Sequence, residues 1–357
     1  MNKKTLLRFM MIFFVLSLAV KYVDNVDMFN LRLVSKKCTF HNFNYIICIS
    51  YWATHLLEII DSEFMKVQCE NYPLSLNVNL TNCKDSDVVD KLCANKTAMK
   101  NLYDLDLSCS TIHNVKRFSE VPVLNLSYSS INDSDTLGII DCSKLKCKYR
   151  DRGELHVHID MLCLHATKVS NVSALGNVKW LDLSETKVSN IYPLGVVDCE
   201  YDNCAFQNKQ LHVHIKELYL RQTSVKHVSI LGNVRVLDLS KTCVIDVSAL
   251  GNVHNLSLQG NCCVSDVSML GNVKMLNLDQ ASSVYDVSML GNVEYLNLSY
   301  THVMDISALK HVKKLDITGC RSLTDVSMLE NEYLIAWLLP QFTALDFSKV
   351  KRLEGFA

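Results

Sequence analysis

Two short stretches of this chain place metal-ligand residue types at a repeated spacing. The first runs from Asp141 through Cys142 and Cys147 to Leu155-His156-Val157-His158-Ile159. The second runs from Asp198 through Cys199 and Cys204 to Leu211-His212-Val213-His214-Ile215. Thiolate and imidazole are the ligands zinc prefers, and four of them make a tetrahedral site. In an extended segment, His-x-His puts both rings on one side and the intervening valine on the other. Three readings are open: a zinc site at Cys142, Cys147, His156 and His158 with a twin at Cys199, Cys204, His212 and His214; a disulfide of the Cys142–Cys147 type; or a duplicated structural element. The spacing is not diagnostic for a metal, so the structural reading leads and no cofactor is assigned. No nucleophile elbow, phosphate loop, dinucleotide fingerprint or His-Glu-x-x-His pair occurs in the chain. Asp182, Asp238 and Asp316 recur between paired leucines. They are expected to point outward along the molecule and not to converge as acid–base partners must. The chain reads as a non-catalytic protein.

The elements around these stretches are set by a repeat. Leu175-Gly176-Asn177-Val178 recurs at Leu231, Leu250, Leu270 and Leu290, with a degenerate copy at Leu309-Lys310-His311-Val312. From Leu231 onward the steps are 19, 20, 20 and 19 residues. Each copy leads into a Leu-x-Leu pair, such as Leu181/Leu183, Leu237/Leu239, Leu276/Leu278 and Leu296/Leu298. Period-two leucines face one side of a strand. A strand this short cannot stand alone, so neighbouring copies must stack and cover one another. Glycine in the Gly-Asn pair is expected to turn the chain back at positive φ. Thr186, Thr223, Thr242 and Thr301, with Cys320 in the same slot, are expected to satisfy backbone groups inside the bend.

This pattern resembles the leucine-rich-repeat family, with phasing like that of the internalins, over about residues 102 to 330. The resemblance implies an α/β-type repeat solenoid: a concave parallel β-sheet, with tight turns or 3₁₀ turns on the convex side. It also implies binding of another macromolecule. Strand alternation places Trp180, Asp182, Glu217, Tyr219, Arg221, Asp238, Asn277, Tyr295 and Asn297 on the surface offered to that partner. Tryptophan, tyrosine and arginine are the types enriched at binding hot spots.

Ahead of the array, Phe9–Val20 is almost wholly apolar and follows Lys3, Lys4 and Arg8. That layout fits a secretory signal peptide over 1–19. A second reading uses Val15, Leu16, Tyr22, Leu31, Leu33 and Val34, whose arrangement before Ser35-Lys36-Lys37 resembles an F-box. F-box proteins with leucine-rich repeats occur in amoebae and their large DNA viruses. The resemblance implies docking on a Skp1-type adaptor of a cullin ubiquitin ligase and a cytoplasmic location; the signal-peptide reading implies secretion. A third reading makes this run a cap on the first repeat. The organisation expected is therefore a helical unit at 1–45, a helical connector at 46–101, the array at 102–330 with inserts near 141–158 and 198–214, and a C-terminal cap at 331–357.

Composition agrees with a buried array. Hydrophobic residues make up 49% of the chain and charged residues 20%, and the formal net charge is −1. Such a balance gives no electrostatic case for nucleic acid or an acidic membrane. The 15 cysteines are an odd number scattered along the chain. Most are read as reduced packing residues.

Overall fold

The computed structural model describes the backbone of residues 45–50 and residues 74–112, 115–132, 137–140, 147, 153–195, 211–339 and 347–355. The F-box-like positions Val15, Leu16, Tyr22, Leu31, Leu33 and Val34 lie outside the described residues, as do Cys142, Cys199 and Cys204. Two compact units divide the chain at Thr111.

In the first unit, β1 (Tyr45–Ser50), β2 (Leu74–Asn79) and β3 (Leu102–Asp106) pair in parallel. The 46–101 segment was expected to be helical, but it carries β2 before its helices. Leu76, Val78 and Leu80 alternate into the core, which is strand periodicity. The helices α1 (Ser86–Ala94) and α2 (Lys96–Asn101) follow. Asp85 caps α1 by accepting from the Asp87 amide at 2.9 Å, and Asn95 caps α2 by accepting from Ala98 at 2.8 Å.

The second unit is a run of parallel strands in chain order, most of them three residues long. They are β4 (Val123–Asn125), β5 (Met161–Cys163), β6 (Trp180–Asp182), β7 (Glu217–Tyr219), β8 (Val236–Asp238), β9 (Asn255–Ser257), β10 (Met275–Asn277), β11 (Tyr295–Asn297), β12 (Lys314–Asp316), β13 (Tyr333–Ile335) and β14 (Leu353–Glu354). Register is uniform: Leu162, Leu181, Leu218, Leu237, Leu256, Leu276, Leu296, Leu315 and Leu334 lie side by side. Both leucines of each pair are buried, as Leu276 and Leu278 show. The 331–357 segment adds β13 and β14 in the same register. On the opposite side the chain forms single 3₁₀ turns, including Ser173–Leu175, Ser229–Leu231, Ser248–Leu250 and Ser268–Leu270. Repeats of 19–20 residues are too short for full helices there.

The glycine expectation is corrected. Gly176, Gly232, Gly251 and Gly271 have φ near −60°. Glycine is required there by close approach, since a Cβ on Gly271 would sit 2.4 Å from the Met289 carbonyl oxygen of the next repeat. The left-handed residue falls elsewhere, two positions after the second leucine. Glu185, Gln222, Lys241, Gln280 and Tyr300 occupy that slot at φ 55–59°, and only Gly260 and Gly319 fill it with glycine.

The threonine slot behaves as expected. Thr186, Thr223, Thr242 and Thr301 each donate a hydroxyl hydrogen bond of 2.6–2.7 Å to the carbonyl of the leucine three residues earlier. Cys320 in that slot donates its thiol to the Leu298 carbonyl at 3.0 Å. Its burial pushes the thiol pKa up, so it stays protonated at neutral pH.

Candidate functional site

The sheet face of the second unit is built from the side chains that flank each buried central leucine. From β7 to β13 this face is hollowed into a cavity of about 440 Å³. Its wall is mostly apolar and includes Tyr219, Val236, Met275, Tyr295 and Ile335, with Lys314 and Asp316 at one end. Met275 and Tyr295 are each more than two-fifths exposed, although they are neighbours in register.

The structure divides the residues that sequence placed on this face. Trp180 and Tyr219 come together on adjacent strands, with ring centroids 5.3 Å apart and planes tilted by 47°. Tyr219 donates to the Glu217 carboxylate at 3.3 Å. Burial raises the Tyr219 phenol pKa, and the Glu217 charge raises it further. The phenol therefore stays a neutral donor. Arg221 follows two residues on, and its buried Nε has no hydrogen-bond partner in the protein. Tyr295 lies four strands from Tyr219, a distance of about 19 Å at the usual strand spacing. Both tyrosines nevertheless line the one cavity.

Asp182, Asp238, Asn277 and Asn297 prove to be half-buried turn-makers as well as surface residues. In each, Oδ1 accepts from the amide two residues on: Ser184 at 2.8 Å, Ser240 at 2.8 Å, Asp279 at 3.0 Å and Ser299 at 2.9 Å. Asp316 does the same with Thr318. One oxygen of the recurring acid is thus engaged in the turn. Asp182 also accepts from the Cys163 thiol at 3.8 Å. Burial first, with the Asp182 charge adding to it, moves the Cys163 pKa to about 11.

Val236 and Met275, which the strand alternation also places on this face, line the cavity, as do Asn255, Ser257, Lys314 and Ile335, which the reading of the sequence omitted. Every one occupies the first or third strand position, so the period-two rule was enough to find them. Choosing by residue type hid the last four.

The inserts gather their described ligands. The Cys147 thiol and His156 Nε2 are 3.2 Å apart, and one ligand atom each from Cys147, His156 and His158 falls within 4.8 Å of the others. In the second insert, His212 Nε2 and His214 Nε2 are 3.2 Å apart. The ring pairs match, with centroids 5.1 Å apart at 87° in the first and 4.9 Å at 78° in the second. Val157 and Val213 between the histidines are fully buried. The Asn177 and Asn233 side chains donate to the Val157 and Val213 carbonyls. Extended backbone with the valine inward therefore presents both rings on the other side, as the sequence implied.

No family model and no curated protein matches the sequence. Among solved structures, the chain is similar to an internalin (inlF) of Listeria monocytogenes, at 15% identity and a TM-score of 0.55. That match covers 88% of this chain and 86% of the internalin. It also matches a leucine-rich-repeat protein of Bacteroides eggerthii, at 8% identity and a TM-score of 0.41, covering 80% of this chain and 57% of that one. With its single-turn 3₁₀ segments, uniform parallel register and paired inward leucines, the chain has the leucine-rich-repeat fold.

Proposed function

We propose that the chain is a recognition protein whose sheet face holds a protein partner, with contact centred on Trp180, Tyr219 and Arg221 and extending along the cavity to Tyr295. The observation that carries this reading is the mostly apolar hollow across β7–β13, entered beside a paired tryptophan and tyrosine. Exposed apolar side chains gathered in a concavity mark an interaction surface more strongly than the same residues scattered singly. Arg221 adds a cation whose buried Nε can be satisfied by an acceptor on the partner. The fold supports recognition and offers no convergent pair for acid–base chemistry on this face, where the recurring carboxylates are engaged in turns.

The finer reading is that of a cytoplasmic substrate adaptor. It rests on the F-box resemblance of Val15, Leu16, Tyr22, Leu31, Leu33 and Val34, through which residues 1–45 would dock on a Skp1-type adaptor while the array holds the substrate. Among the described residues, no helix is long and apolar enough to cross a membrane.

Proximity labelling with the full chain in its native cells tests both parts. Trp180→Ala with Tyr219→Ala should remove the partners captured by the array and leave a Skp1-type adaptor in place. Leu31→Asp with Val34→Asp should do the reverse. A partner set unchanged by the aromatic pair of substitutions would refute the sheet-face reading. Adaptor capture that survives the second pair, or is never seen, would refute the F-box reading.

A further inference from the structure

We propose that Cys147, His156 and His158 form a zinc site, and that the duplicated His212–His214 pair begins a second. The His156 ring is held from its far side. Its Nδ1 lies 2.7 Å from the Glu154 carbonyl oxygen. A carbonyl can only accept, so Nδ1 carries the proton. In the neutral ring Nε2 is then the lone-pair nitrogen, and it lies 3.2 Å from the Cys147 sulfur. This is the arrangement that metal-bound histidines show, with the far ring nitrogen donating to a carbonyl and so fixing both tautomer and orientation.

Distances fit the ion. Two nitrogens each at about 2.05 Å from a tetrahedral zinc lie about 3.3 Å apart, and a sulfur at about 2.3 Å lies about 3.6 Å from such a nitrogen. His212 Nε2 and His214 Nε2 are 3.2 Å apart, and Cys147 Sγ and His156 Nε2 are 3.2 Å apart. In these two pairs movements of a few tenths of an ångström would reach zinc distances, and the His158 ligand atom lies within 4.8 Å of the other two and has to close in on them. The backbone is already fixed on both sides of the valine. His156 exchanges hydrogen bonds with Ile139 at 2.8 and 3.1 Å, and the His158 amide donates to the Ser119 carbonyl at 2.6 Å. His156 is only 1% exposed and Cys147 only 7%. One thiolate with two imidazoles is a ligand set that favours zinc over the oxygen-seeking magnesium and calcium.

The second insert repeats the histidine pair on separate residues. Gly138 packs against the Leu155 side chain and Gly195 against the Leu211 side chain, one residue before each first histidine. Each insert therefore leaves and re-enters the array in the same way. On binding, the Cys147 thiol loses its proton to solvent and the sulfur becomes a thiolate ligand. The ion then ties the body of the insert to the segment that rejoins the sheet. The three described ligands leave one tetrahedral position for a further donor.

The purified full chain, stripped with a chelator, is titrated with zinc and then with cobalt as a spectroscopic stand-in. Zinc should bind at submicromolar concentration and raise the thermal unfolding midpoint, as any ligand of the folded state does. Cobalt should give a thiolate-to-metal charge-transfer band. Cys147→Ser should release one equivalent of zinc and weaken that band. His158→Asn should weaken binding at the same site at least tenfold, and His302→Asn, on an exposed residue, should change nothing. Zinc content unchanged by Cys147→Ser would overturn the proposal. If that variant fails to fold, the wild-type cobalt spectrum decides, because absence of the thiolate band would overturn it equally.

Discussion

The regular repeats from Leu231 to Leu329 and the two insert-bearing repeats before them solve opposite problems with the same strand. In the regular repeats, backbone stacks on backbone. Gly232, Gly251, Gly271 and Gly291 lie so close to the next repeat's carbonyl that a single methyl would collide with it. Nothing can vary there without moving a neighbour. In the insert-bearing repeats, Val157 and Val213 stand where the glycine of the Leu-Gly-Asn turn would be. Each valine is buried, and so is the first of its flanking histidines, His156 or His212. The lesson is a division of labour. Close repetition lines like positions up into a surface, and among the described residues the cluster of cysteine and histidine forms where the repeat is broken.

Substitutions can sharpen that contrast. The largest effect is expected at the buried ladder: Leu276→Ala removes a side chain only 2% exposed and should destabilise by about 2–5 kcal/mol in chemical denaturation. Gly271→Ala comes next. The added Cβ meets the Met289 carbonyl oxygen at 2.4 Å, and overpacking of this kind costs roughly 1–3 kcal/mol. Val157→Gly would restore the regular residue to an insert. If backbone stacking were the same in both regions it would be neutral; we expect it to destabilise by about 1–3 kcal/mol, since a buried side chain is lost with no neighbouring carbonyl to fill the space. A neutral Val157→Gly alongside a harmful Gly271→Ala would erase the distinction between the two regions.

How far the sequence could be read follows from which signals repeat. The paired leucines, the threonine slot and the 3₁₀ turns were legible because each recurs at one spacing and burial enforces it. The glycine was located correctly but explained wrongly. Its need arises from the adjacent repeat's carbonyl, and such contact between repeats is invisible in a single window of sequence. The left-handed slot was missed for the converse reason: Glu185, Lys241, Gln280 and Tyr300 share a conformation but no residue type. On the sheet face, residue type pointed to Trp180 and Tyr219, which do meet. It passed over Asn255 and Lys314, which need only the right position to line the cavity. The cysteine–histidine clustering was legible as a duplicated spacing. The His156–Glu154 hydrogen bond that sets the tautomer was not, because it depends on how the returning segment is held against Ile139.

The strand-end acids give a smaller test, one that separates charge from geometry. Asp238 accepts from the Ser240 amide, and Asn277 and Asn297 make the same turn without a charge. Asp238→Asn should therefore be nearly neutral. Asp238→Ala should cost about 0.5–1.5 kcal/mol, the usual net worth of one hydrogen bond. That is more than an outward, solvated aspartate would cost. Equal effects of the two changes would mean that the charge matters and the turn does not.

The smallest effect belongs to the exposed acids that precede the turns at Ser248, Ser268, Ser288, Ser307 and Ser327, three of them 3₁₀. Asp246, Asp266, Asp286, Asp305 and Asp325 each accept from the serine amide two residues on, at 2.8–2.9 Å. For Asp246 and Asp266 the serine side-chain hydrogen bond is the main cause of a lowered pKa, and for Asp286, Asp305 and Asp325 it is the serine backbone amide. A carboxylate whose folded pKa lies below its unfolded value of about 3.9 adds stability above that value. The contribution is lost as pH falls through the lower, folded pKa. Stability should accordingly be flat with respect to these groups from pH 8 to about 5 and decline below about pH 4. Neighbouring acids of the ladder work against each other, since Asp246 and Asp286 both raise the Asp266 pKa. Glu294, held down by its hydrogen bond and ion pair with Lys313, contributes in the same direction as the ladder. Asn171 and Asn190 fill the equivalent slot in the earlier repeats and accept from Ser173 and Tyr192 at 3.0 Å. The turn therefore needs an acceptor and does not need a charge. Replacing Asp266 and Asp286 together by asparagine should leave the unfolding midpoint at pH 7 nearly unchanged and make its decline between pH 5 and 3 shallower. An acid decline as steep as that of the unaltered chain would assign the pH dependence to Glu294 and the strand-end carboxylates, and would remove this ladder from any part in it.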